Sequence, residues 1–149
     1  MLNPARSAYW RKKQKAPEAV RAVRHFLGYC LLHDVRPQAG ACIYNEGEIL
    51  EKQLYSIGYK DDNFTFIPYW NKNCPVKTNA KNVLVSVYKF PGKTLAVVLN
   101  DSKTETLNIS LNTSFKFKKI YNLETGKTME KPVVNIPPKG MNLIVFEEK

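Results

Sequence analysis

Four groups of residues in this chain have the types and spacing to do chemistry. His33 and Asp34 stand side by side, the composition of a proton-transfer pair, but neighbours on a helix point about 100° apart and rarely act on one atom. The plainer reading has Asp34 bonding local backbone or an arginine while His33 meets carbonyls at a helix end. Glu46, Glu48 and Glu51 look like clustered catalytic carboxylates, yet acids at a helix start are what the macrodipole favours, and they need no chemistry. Tyr69 and Trp70 follow Pro68, which fixes the local backbone, and Asn71 and Asn73 lie beside them. Aromatic faces match the apolar face of a pyranose, and the two amides supply the hydrogen bonds that sugar hydroxyls need. Such an aromatic pair more often plugs the space between two layers, and Trp70 is read as core on that ground. Cys30, Cys42 and Cys74, with His25 and His33, are odd in number and far apart, so neither a metal site nor a cofactor is expected and the thiols are read as free.

These residues need elements to hold them. Pro17 followed by Glu18 starts a helix over 17–33, with Val20, Val23, Phe26, Leu27, Cys30 and Leu31 on one stripe, Arg21 and Arg24 facing away, and Pro37 preventing continuation. A second helix over 46–57 takes Asn45 as its cap with Glu48 three residues on, buries Ile49, Leu50, Leu54 and Ile57, and ends on a left-handed Gly58. Phe64 and Phe66 alternate as a short strand that Pro68 confines to a sheet edge. Val83 to Asn100 reads as the central hairpin, turning at Phe90-Pro91-Gly92-Lys93. Val83, Val85 and Val87 share a face of its first strand and Leu95, Val97 and Leu99 a face of its second, with Leu84, Tyr88, Phe90, Ala96 and Val98 opposite. A hairpin apolar on both faces needs a covering layer on each. Leu107, Ile109 and Leu111 then alternate with polar residues, and Phe115 begins a strand whose alternation breaks at Lys118-Lys119, a bulge. Glu124 to Lys127 is a turn, Val133 to Ile136 a short strand, and Met141 to Glu147 the last. The fold class is α+β: a helical segment of two helices over 1–61, then an antiparallel Greek-key β-sandwich over 62–149.

The formal charge of +10 on 149 residues is uneven: 1–36 carry eight basic and two acidic side chains, 37–80 four and five, 81–149 eleven and six. A basic module for nucleic acid or an anionic surface is one reading, but lysines at turns and outward strand positions serve solubility and edge protection as well. Nucleic acid is therefore not the expected partner. Residues 1–16 show no period that would bury one side and are expected as a loose arm. No apolar run approaches the roughly 18 residues of a membrane span, and the first residues, MLNPARSAYWRKKQK, lack the apolar core of a secretory signal. No membrane partner is expected, and the compartment stays open, following that of a parent enzyme if there is one.

The order of parts is similar to the tail of a glycoside hydrolase, where the last helices of a (β/α) barrel run into a β-sandwich. LLHDVRP, a helix ending Ser56-Ile57-Gly58, FIPYWNKN, VLVSVYK and LAVVLN resemble the C-terminal region of proteins related to glycoside hydrolase family 123 over about residues 17–149. The resemblance implies an Asp-Glu pair in the barrel as the acid/base machinery, with the substrate's acetamido group as nucleophile. This chain has no Asp-Glu dipeptide and lacks the roughly 250 residues of a barrel. No catalytic residue carries over. What is implied is an accessory region or fragment, inactive alone, whose partner is a catalytic barrel upstream in a longer chain or in trans, with carbohydrate as a further ligand. His33 and Asp34 would be a polar pair on the barrel side. A stand-alone carbohydrate-binding module is the other reading, with Tyr69, Trp70, Asn71 and Asn73 as its contacts.

Overall fold

The structure, a computed structural model, describes residues 17–36 and 44–149. The expected loose arm over 1–16 and Cys42 lie outside these residues. Among these residues two helices, α1 (Pro17–Leu32) and α2 (Tyr44–Ser56), precede a single 3-10 turn at Tyr59–Asp61 and ten strands. These are β1 (Thr65–Ile67), β2 (Val76–Lys77), β3 (Val83–Phe90), β4 (Lys93–Asn100), β5 (Leu107–Ser110), β6 (Asn112–Thr113), β7 (Phe117–Asn122), β8 (Thr128–Met129), β9 (Val133–Ile136) and β10 (Met141–Glu148).

Six strands form one antiparallel sheet in the order β1-β3-β4-β10-β7-β8, and two ribbons, β2-β6 and β5-β9, lie across one face of it. The helices cover the other face. After β4 the chain leaves the large sheet for β5 and β6, returns as β7 and β8, leaves again as β9, and comes back as β10 between β4 and β7. This exchange between layers makes the fold an α+β sandwich with Greek-key links.

The hairpin β3–β4 is central, as its two apolar faces require. Its turn has only Pro91 and Gly92 between the paired Phe90 and Lys93, with Gly92 at φ 71. A two-residue turn pairs odd positions of one strand with even positions of the other, so Val85 faces Val98 and Val87 faces Ala96. The expected face that joined Leu84, Tyr88 and Phe90 to Ala96 and Val98 is thereby divided. Tyr88, Phe90, Leu95, Val97, Leu99, Leu143 and Val145 pack under the helices with Leu27, Leu31, Leu50 and Leu54. Val85, Val87, Ala96, Val98, Ile144 and Phe146 pack under the ribbons with Ile109, Leu111, Val134 and Ile136.

Several local expectations meet the structure directly. β1 is an edge strand, Gly58 is left-handed at φ 99, and the Glu124–Lys127 turn closes on Asn122, whose Oδ1 accepts from the N–H groups of Glu124 (2.9 Å) and Thr125 (3.0 Å). The register of β7 against β10 shifts between Glu147 and Glu148, which skips Lys118 where a bulge was expected. That strand begins at Phe117, two residues later than expected, because Thr113 to Phe115 turn on a side-chain bond from Thr113 Oγ1 to the Phe115 carbonyl (3.0 Å).

Other expectations need correction. The single alternating strand through Leu107, Ile109 and Leu111 is split: β5 pairs with β9, β6 pairs with β2, and Leu111 between them donates its N–H to Pro132 O (2.8 Å). Alternation fixes which side chains face in, but the partner strand decides where pairing stops. Helix α2 begins at Tyr44, so Asn45 lies within its first turn and not before it. Phe26 and Ile49 were counted in buried stripes, yet each is 50% exposed, since each sits on the flank of its helix's stripe, about 100° round from Leu27 and Leu50 respectively. Arg24, expected on the outer face, is half-buried between Glu46 at 3.5 Å and Glu124, and so ties α1 to α2 and to the β7–β8 turn.

Helix α1 approaches the sheet at Gly28, where an added Cβ would stand 2.6 Å from Leu99 Cδ1 and 3.1 Å from Met141 Sδ. A branched side chain there must lift the helix or displace two buried neighbours. Gly28→Val is expected to destabilise the protein by about 2 to 3 kcal/mol despite the better helix propensity of valine, seen as a fall in the urea midpoint with an unchanged slope.

Candidate functional site

The C-terminal end of α1 is held by side chains from the middle of β3. The last carbonyls of a helix lack intrahelical donors, and here Tyr88 Oη donates to Leu31 O (2.6 Å) and Ser86 Oγ to Leu32 O (2.8 Å). Ser86 Oγ also accepts the N–H of Tyr69 (3.0 Å), so one buried hydroxyl fixes both the helix end and the loop that follows β1. The helix closes as a Schellman turn, with Val35 N–H on Cys30 O (2.8 Å) and Asp34 N–H on Leu31 O (3.4 Å). Asp34 occupies its left-handed position at φ 54, where glycine is usual.

On this frame His33 stands in the open with its Nδ1 2.8 Å from Tyr29 O, one turn back. Its ring is stacked on Tyr29 (centroids 6.3 Å), edge-on to Tyr69 (5.7 Å) and tilted against Trp70 (5.5 Å). Tyr69 and Trp70 meet edge to face at 4.8 Å. The pair read as a plug is on the surface: Trp70 is 58% exposed and Tyr69 37%. The plug is made instead by Tyr59, Phe64, Phe66 and Tyr88, whose rings lie 5.0 to 5.4 Å apart under the helices. Chain direction explains the exchange, because the Tyr69 N–H bond to Ser86 carries the backbone past the sheet edge and turns the next side chain outward.

The loop after Trp70 is tight. Asn71 N–H bonds Pro68 O (2.9 Å), Cys74 N–H bonds Asn71 O (3.0 Å), and Asn71 Oδ1 accepts the N–H of Asn73 (2.8 Å). Cys74 is buried, its Sγ 3.3 Å from Val76 O, and burial pushes its thiol pKa up. It anchors the loop and is not a reactive thiol. Trp70 and Asn71 line an open groove of about 450 Å3 with Lys72, Lys77 and Thr78. Asn73 lines an adjoining groove of about 460 Å3 with Lys72, Lys77 and Asn112. Thus His33, Tyr69 and Trp70 come together, Asn71 and Asn73 flank them, and Asp34 is part of the helix cap.

A second cluster went unread in the sequence. Lys139 Nζ reaches Asp101 Oδ1 at 2.5 Å and Asp101 O at 2.8 Å, and His25 Nε2 stands 3.8 Å from the same carboxylate. Lys139, then Tyr29 and His25, hold Asp101 below the usual carboxylate pKa. Burial, then the bond to Asp101 and its charge, push the Tyr29 phenol up to about 12. Burial and the nearby Lys139 charge lower His25 against the pull of Asp101, so the 3.8 Å approach is not an ion pair at neutral pH. Among the described residues its Nδ1 is buried without a partner. The signal was present as His25, Tyr29 and His33 at four-residue spacing, one face of a helix.

The family model described as glycoside hydrolase 123, C-terminal domain, matches residues 53–136. That is more than half of the 149 residues. The chain belongs to this family. The match runs from within α2 through β9 and includes Tyr69, Trp70 and both grooves. Among solved structures, a beta-galactosidase from Bacillus circulans sp. alkalophilus is similar at 19% identity over 48% of this chain, with a TM-score of 0.38. The aligned part spans 10% of that enzyme's chain. No curated protein matches the domain.

Two measurements check this geometry. Trp70→Ala removes an exposed side chain and is expected to change stability by less than about 0.5 kcal/mol, whereas Ser86→Ala strands a buried carbonyl and a partly buried N–H and is expected to cost about 2 to 3 kcal/mol. Paired thermal melts separate them, and an early-melting Trp70→Ala would return the indole to the core. Asp101 has a folded pKa below its unfolded value of 3.8, so its contribution is present above that pH and is lost as pH falls through the folded pKa. Asp101→Asn is therefore expected to lower stability at pH 7 and to flatten the acid limb of the stability curve, read by urea titrations at a series of pH values.

Proposed function

We propose that this domain is a non-catalytic β-sandwich that supports a carbohydrate-active catalytic barrel, either elsewhere in the same chain or on a second one. Membership of the family of glycoside hydrolase C-terminal domains over residues 53–136 carries the reading. The sandwich of 62–149 is its structural unit, and α1 and α2 roof one face of it through a shared apolar cluster. The carboxylates agree with this role. Glycoside hydrolysis needs two carboxyls about 5 to 10 Å apart across a sugar, or one with a substrate nucleophile, in a cleft. Here Glu46 and Glu124 bind Arg24, Glu48 binds Lys52, Asp62 binds Arg36, and Asp101 binds Lys139. Neither groove beside Trp70 has a carboxylate among its lining residues.

A second reading, direct binding of carbohydrate, is favoured by the exposure of Trp70 on a loop that is tied to the core. Tyr69, Trp70, Asn71 and Asn73 would be its contacts. The two readings coexist, since an accessory domain can hold both a barrel and a glycan. The basic-module reading has less support, because Arg24, Arg36, Lys52 and Lys139 are each paired with an acid.

The chain alone is expected to release no nitrophenol from a panel of aryl glycosides above the buffer rate. Turnover that disappears when Glu46, Glu48, Asp61 or Asp62 is changed singly would replace the accessory reading with an enzymatic one.

A further inference from the structure

The two grooves beside Trp70 meet on common ground, since Lys72, Cys74 and Lys77 line both. Cys74 is buried, so the shared ridge presents the two lysines. Lys77 Nζ donates to Lys72 O (2.6 Å), which brings the second ammonium to the backbone of the first. Among the described residues neither lysine forms an ion pair. On one side of the ridge lies the exposed indole of Trp70, and on the other Asn73, Asn112 and Thr113. Each groove has the volume of a small-ligand site. The order along the surface is an aromatic face, two uncompensated positive charges, and amides with a hydroxyl.

We propose that this surface binds an acidic oligosaccharide, one ring stacked on Trp70, the ring carboxylate or sulfate of the next between Lys72 and Lys77, and further hydroxyls on Asn73, Asn112 and Thr113. The proposal rests on the carbohydrate-contact reading above and adds the charge of the ligand. A neutral glycan would leave both ammonium groups without a counter-charge. A nucleic acid strand calls for a run of stacking faces along a basic track, whereas the described groove residues offer Trp70 and Tyr69 at one end and amides at the other. Ser86, Pro68 and the Asn71 turn hold the loop, so little ordering opposes binding.

The test is a fluorescence titration of the full chain carrying Trp10→Phe, which leaves Trp70 as its single tryptophan. The probes are an oligogalacturonate, a heparin-derived oligosaccharide, a neutral oligosaccharide of equal length, and a single-stranded oligonucleotide. One or both acidic sugars are expected to bind saturably, about tenfold or more tighter than the neutral one, and which of them binds identifies the acid as carboxylate or sulfate. Lys72→Gln with Lys77→Gln is expected to abolish that preference, and Trp70→Ala, followed by calorimetry, to weaken binding about fivefold or more. All three side chains are exposed, so the variants keep the fold. Equal binding of neutral and acidic sugars overturns the charge assignment and leaves the carbohydrate reading standing, while no sugar binding at all overturns both. Tighter binding of the oligonucleotide, or equal loss of acidic-sugar binding in a Lys118→Gln, Lys119→Gln control outside both groove linings, overturns the proposal in favour of general charge attraction.

Discussion

Strand β4 is buried from Leu95 through Asn100 on both of its faces, and the rest of the molecule is arranged to make that possible. A strand covered on both sides must be apolar or must bond every polar atom it carries. Besides Tyr88, whose hydroxyl bonds Leu31 O, the central hairpin carries three buried polar side chains, and each connects to a different part of the periphery. Ser86 bonds the end of α1 and the loop after β1. Thr94 bonds Glu148 at the end of β10 (2.6 Å). Asn100 donates to Glu105 O, Ile136 O and Pro137 O and accepts from Ser102 N–H, closing the crossings between the two layers. The apolar positions drive collapse, and the bonds of these residues select which arrangement of helices, loops and ribbons the collapsed chain adopts.

The exposed aromatic group is a consequence of that selection. A surface indole contributes little to stability and gains a defined position only from what holds its backbone. Here the support descends from Trp70 to the Tyr69 N–H, to Ser86, and so to the centre of the sheet. His33 is fixed by the same residue from the helix side, through Leu32 O. Two side chains distant in sequence, at 33 and 70, meet because one hydroxyl organises both approaches. Local sequence rules carry no term for such a link.

That explains which parts of the structure were legible beforehand. The hairpin, the edge position forced by Pro68, the left-handed Gly58, the bulge at Lys118 and the Asn122 turn follow from residue type and spacing within a few positions. The exposure of Trp70 does not, since Phe64-Thr65-Phe66 and Tyr69-Trp70 are equally aromatic, and only the pairing of β1 with β3 decides which set turns inward. Likewise Asp34 adjoins His33 in sequence, while its position is set by helix termination. The periodic signal of His25, Tyr29 and His33 was readable, but it led to Asp101 and Lys139, which the sheet brings up from the β4–β5 and β9–β10 connections.

Charge follows the same division between local and global causes. The helical part owes its basic excess partly to arginines that the fold uses: Arg24 joins α1, α2 and the β7–β8 turn, and Arg36 joins Asp62 while lying 5.0 Å over the Tyr59 ring. Those charges are neutralised by position. Along the sheet Lys118 sits in a bulge and Lys119 opposite Glu147 on β7, where they keep an outer strand soluble and discourage further pairing. A net +10 is thus distributed over unrelated tasks, and its size alone does not call for a polyanion. Lys72 and Lys77, unpaired among the described residues, stand together on the ridge that both grooves share, with Trp70 on one side of it. It is this coincidence of charge with shape, more than the overall excess of base, that gives one small part of the surface a chemical preference.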